Sequence, residues 1–130
     1  MKKIFILSVL SIFIVGCASS SPTPNPASNT RPAITDPFQP IEVSTGETFN
    51  IVVATNPSTG YHWEIIGELS GVEFVSTEYT ADEPVAPGSG GVDVWTFKAV
   101  SSGETQITFG SYPPGASEPD QTVTFNIVVK

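Results

Sequence analysis

The sequence predicts an all-β protein, an antiparallel β-sandwich of about seven strands. Three observations predict it. From residue 41 onward, apolar residues alternate with polar ones at period two in seven short runs. Gly, Pro, Asn and Ser cluster between those runs, where turns are needed. No stretch beyond the N-terminal leader sustains a helical period.

The N-terminal part is of another kind. Lys2 and Lys3 precede an apolar run, Ile4–Val15, broken only by Ser8 and Ser11. That run is short for a membrane span and reads as a secretion signal covering residues 1–16. It closes on Gly16-Cys17-Ala18, which resembles a bacterial lipoprotein box, with cleavage before Cys17 and acyl chains on its thiol. Cys17 is the sole cysteine, so no intrachain disulfide can form. These features lead us to expect a lipid-anchored protein of a bacterial cell envelope, at the outer membrane, its periplasmic face or the cell surface. Residues 17–40 read as a linker containing Pro22, Pro24, Pro26, Pro32, Pro37 and Pro40. Too polar to build a core, a polyproline-like segment of this length reaches roughly 70 Å at about 3.1 Å per residue.

Residues 41–130 form one expected domain. Its first strand is Ile41–Ser44, turned by Thr45-Gly46. In Thr48–Ala54, Phe49, Ile51 and Val53 alternate, and in Tyr61–Ile66, Tyr61, Trp63 and Ile65 do so. Val72–Glu78 begins with Val72 and Phe74 and then loses its regularity. Gly91–Val100 alternates Asp93, Trp95, Phe97 and Ala99, and Thr105–Phe109 alternates Thr105, Ile107 and Phe109. Gln121–Val129 supplies Val123, Phe125, Ile127 and Val129. Trp63, Trp95 and the phenylalanines are the expected packing of a core that has no cystine bridge.

Charge narrows the function. The precursor carries a net charge of -8. Without residues 1–16, three basic residues (Arg31, Lys98, Lys130) face 13 acidic ones, a net of −10. Such a domain is unsuited to nucleic acid or to anionic lipid, and any membrane attachment has to come from the acyl chains. Catalytic groups are scarce. His62, the single histidine, alternates with Tyr61 and Trp63 and is expected to face solvent, away from any serine. Glu78, Asp82, Glu83 and Asp93 fit no calcium-loop spacing, and Gly88–Gly91 has no following Lys to bind phosphate. No cofactor, no metal and a monomer are expected.

Three loops stand out. In Asn56-Pro57-Ser58-Thr59-Gly60-Tyr61, Pro57 holds Asn56 extended and Gly60 is free to turn the chain. The second is Gly88-Ser89-Gly90-Gly91 and the third Tyr112-Pro113-Pro114-Gly115. The first resembles the signature loop of the chagasin family of cysteine-protease inhibitors, with Ser58 where threonine is usual. Gly88–Gly91 followed by Val94-Trp95-Thr96-Phe97-Lys98-Ala99 resembles that family's second loop and following strand, and Gly103–Phe109 its next turn and strand. The third loop departs: where the family has Arg-Pro-Trp, this chain has Pro113, Pro114 and Gly115.

The resemblance spans residues 41–130. It implies an immunoglobulin-like sandwich that inhibits papain-like cysteine proteases and is not itself an enzyme. All three loops would then lie at one end and enter the active-site cleft as a wedge, with no side chains on Gly88, Gly90 and Gly91 to keep the backbone from the cleft wall. Rigid loops lose little entropy on docking. A surface-anchored structural or adhesive sandwich shares the anchor, the linker and the fold. It has no need of two such loops at one end.

Overall fold

The computed structural model describes residues 31–130. The expected signal segment, Cys17 and most of the linker lie outside the described residues.

Seven strands form two packed sheets: β1 (Ile41–Val43), β2 (Thr48–Thr55), β3 (His62–Ile66), β4 (Val72–Ala81), β5 (Gly91–Ala99), β6 (Gly103–Tyr112) and β7 (Gln121–Val129). One sheet has the order β1-β7-β6-β3 and the other β2-β5-β4. Every pairing is antiparallel except β1 with β7, which run parallel with Ile41 opposite Ile127. The sandwich is therefore mixed at that edge.

The alternation read from the sequence is the division between core and solvent. Ile51 and Val53, Phe97 and Ala99, Ile107 and Phe109, and Phe125, Ile127 and Val129 fill the space between the sheets. Phe109 sits at the centre, with its ring centroid 5.1 Å from Trp95, 6.2 Å from Phe97 and 5.8 Å from Phe125, all edge-on. The two tryptophans differ from the expectation. Trp63 and Trp95 are only partly buried and pack on the rim of this core. Trp63 lies on an edge strand, where its indole N–H donates to the Ala54 carbonyl of the opposite sheet at 2.8 Å.

The irregular tail of β4 has a local cause. The register against β5 shifts between Phe74 and Ser76, a bulge that leaves Val75 unpaired. One extra residue inverts the alternation, so Thr77 and Tyr79, opposite Trp95 and Asp93, follow Phe74 on the same face of the strand. As an edge strand, β4 leaves Phe74 47% exposed.

Residues 31–40, expected as spacer, are attached to the sandwich. The Thr35 amide donates to Val52 O, and Val52 N donates to Thr35 Oγ1, both at 2.9 Å. Arg31 pairs with Asp82 at 2.7 Å. These contacts flank Val52 and Val92, which are buried but lie outside the core between the sheets.

Candidate functional site

The pairing register brings the three loops together. Thr55 at the end of β2 and Ala81 at the end of β4 both pair with Gly91 at the start of β5. In the other sheet His62 pairs with Tyr112, and Ser111 with Gln121. The loops at 56–61, 82–90 and 113–120 therefore leave the sandwich at one end, as the sequence predicts.

The first loop is a single 3-10 turn, Pro57–Thr59. Asn56 caps it in an extended conformation (φ −140°, ψ 92°), and Gly60 ends it at φ 79°. The Asn–Pro start and Gly end follow the usual helix-capping chemistry. Asn56 Oδ1 accepts from Ser58 N at 3.2 Å and from Ser58 Oγ at 2.6 Å. Thr59 Oγ1 donates to Asn56 O at 2.7 Å. Pro57, Ser58, Thr59 and Gly60 are exposed at the tip. So small a loop with this many internal bonds is shaped before it meets anything.

Asn56 also reaches the second loop, its Nδ2 donating to Gly88 O at 3.2 Å. The second loop is closed by Asp82 N on Gly90 O at 2.9 Å, and within it Ser89 N donates to Ala86 O at 3.0 Å. Here the structure redistributes the expected residues. Gly88 is exposed, Ser89 and Gly90 are half-buried, and Gly91 is buried as the first residue of β5. A Cβ on Gly91 would meet the Thr80 carbonyl oxygen and stand 2.7 Å from Cε2 of the Tyr79 ring. Gly91 is thus required by internal packing and is not open to a partner. The exposed part of this loop is Glu83–Gly88, with Val85 67% exposed. Val85 belongs to none of the strand or loop patterns legible in the sequence. The available signal was an apolar residue set between prolines in Pro84-Val85-Ala86-Pro87, a poor place for a core residue.

The third loop folds back on the first. Pro114 and Gly115 occupy the centre of a turn closed by Ala116 N on Pro113 O at 3.1 Å. Gly115 has φ 73°, the requirement of a type II turn at that position. A tryptophan could stand there only with backbone strain. Tyr112 is half-buried with its ring stacked on His62 at 5.6 Å. Tyr61 Oη donates to Asp120 Oδ2 at 3.0 Å. That bond and the Asp120 charge hold the Tyr61 phenol above its ordinary value of 10.0.

His62 is solvent-exposed, with Nε2 3.0 Å from Glu64 Oε1 and a neighbouring aromatic ring in place of a nucleophile. Among the described residues no group of three His, Cys, Asp or Glu side chains is arranged to hold a metal ion. What this end of the molecule offers is preformed backbone shape, uncharged over Pro57–Gly60 and acidic at Glu83, Glu118 and Asp120.

A search of curated protein sequences finds no match. Among solved structures, the chain resembles a cysteine protease inhibitor from Entamoeba histolytica, with 26% identity and a TM-score of 0.58, over 69% of this chain and 85% of the other. It also resembles amebosin, known from a solution structure, with 29% identity and a TM-score of 0.57, over 72% of this chain and 90% of the other. The sequence itself matches the family described as chagasin family peptidase inhibitors over residues 42–129, which is nearly all of the sandwich, and the chain belongs to that family.

Proposed function

We propose that this protein inhibits papain-like cysteine proteases by filling the active-site cleft with the loop end of its sandwich. The first loop enters the cleft beside the catalytic Cys and His, and the second lies along its wall through Glu83–Gly88. The observation that carries the reading is the first loop: Pro57–Gly60 is exposed, tightly turned and internally hydrogen-bonded. A preformed turn docks with little loss of conformational entropy. It also offers no extended backbone to align as a substrate. Acyl chains on Cys17 would hold the inhibitor at a membrane of a bacterial cell envelope.

Titrating papain with the chain lacking Met1–Gly16 tests the inhibition. We expect stoichiometric loss of activity, abolished by Thr59→Arg, whose long charged side chain collides with the cleft. An inhibition constant weaker than about 10 µM against several papain-like enzymes, or one unmoved by Thr59→Arg, refutes the proposal.

A further inference from the structure

We propose that the third loop serves as a buttress of the first, with Tyr61 and Asp120 as the positioning residues that fix the inhibitory turn. The effect on inhibition rests on the function proposed above, whereas the brace itself does not.

Two contacts direct the third loop toward the first, and a stacked pair at the adjoining strand ends keeps Tyr112 from turning outward. Tyr61 Oη donates to Asp120 Oδ2 at 3.0 Å, across 59 positions of sequence. A Cβ built on Gly60 would stand 2.7 Å from Pro114 Cγ, so the first loop's glycine rests against the third loop's proline. Tyr112, the one large side chain near the missing Arg-Pro-Trp, is stacked on His62 of β3. Behind the brace lies an open cleft of about 370 Å³, lined in part by Thr55, Asn56, Thr59, Tyr61, Ser111 and Asp120. The first loop therefore has no packed floor on this side. Asp120 is itself fixed, because its amide donates to Ser111 O at 3.0 Å at the root of β7. A side chain held from a strand end makes a firmer support than one on a free loop.

Asp120→Ala and Asp120→Asn separate the roles, since the Asn carbonyl still accepts from Tyr61 and the Ala does not. Both are measured in the chain lacking Met1–Gly16, by papain inhibition and by amide exchange of the free protein. The reporter is the Gly60 amide, which donates to Pro57 O at 3.1 Å. We expect Asp120→Ala to weaken inhibition roughly three- to tenfold, the range for losing one net hydrogen bond. Gly60 exchange should accelerate by a similar factor while the core amides do not change. Asp120→Asn should restore both readings, Tyr61→Phe should match Asp120→Ala, and the two together should add nothing further. Unchanged Gly60 exchange in Asp120→Ala overturns the buttress, even if inhibition falls, because Asp120 would then be touching the protease itself. Uniform acceleration at core amides also overturns it. If the unaltered chain does not inhibit papain, the proposed function fails and the exchange result alone decides the brace.

Discussion

The contact between Gly60 and Pro114 makes a quantitative demand on stability. Gly60 has φ 79°, and Gly115 has φ 73°. Alanine at either site meets the same left-handed backbone cost, about 1–2 kcal/mol. The surroundings differ. A Cβ at residue 115 has nothing within 4 Å, whereas one at residue 60 lies 2.7 Å from Pro114 Cγ and 3.2 Å from its Cβ. Carbon atoms rest at about 3.5–4.0 Å, so the overlap at residue 60 approaches 1 Å. Relieving such an overlap costs about 1–3 kcal/mol. Gly60→Ala should thus be the more damaging by that amount, a difference of roughly 4–8 °C in melting temperature per kcal/mol for a domain of this size. Pro114→Ala removes the Cγ, so the double variant Gly60→Ala/Pro114→Ala should recover part of the loss, a favourable coupling. Parallel thermal melts measure all of these. Equal losses for Gly60→Ala and Gly115→Ala, with no coupling to Pro114, would mean that the loops do not touch, and the buttress would lose one of its supports.

Three further outcomes are expected. Gly91→Ala forces a methyl into the Thr80 carbonyl and the Tyr79 ring, so it should lower stability in a denaturant melt by about 1–3 kcal/mol although it alters no exposed residue. Burial raises the Asp93 carboxyl above its ordinary value of 3.8, partly offset by the Thr55 hydrogen bond. The folded state thus holds that proton more tightly than the unfolded chain, and the Asp93 contribution to stability falls as pH rises from about 3.8 through the folded value. Asp93→Asn should therefore raise the melting temperature more at pH 7 than at pH 3; an equal gain at both would show that burial does not strain this carboxylate. Cys17→Ser should release the protein from the membrane fraction or stall its processing, and a variant that is cleaved and fractionates normally would rule out the lipid anchor.

Several features were legible because they depend on near neighbours in the chain. Period-two alternation places Ile51, Val53, Phe97, Ile107, Phe109, Phe125 and Ile127 on the inward face by pleat geometry alone, and each is buried. Asn56-Pro57 and Gly60 determine the first loop through their own backbone preferences, as the extended Asn56 and left-handed Gly60 bear out. The break in pattern after Phe74 was visible too, although its meaning, a bulge, needed the β5 register.

What only the tertiary structure decided involves residues far apart in sequence. Alternation states that a residue faces inward but not how fully a neighbouring strand covers it, so Trp63 and Trp95 looked like core and lie on its rim. A glycine offers no side chain to interpret. Gly91 therefore read as open backbone, when the Tyr79 ring and the Thr80 carbonyl occupy the space a side chain would need. The departure of Pro113-Pro114-Gly115 from Arg-Pro-Trp was legible, whereas the seating of its turn against Gly60 was not. The parallel match of β1 to β7, the bond from Asn56 to Gly88 and the bond from Tyr61 to Asp120 join positions 32 to 86 residues apart. Local propensity carries no information over such separations; the closing of two sheets around one core brings these groups within reach.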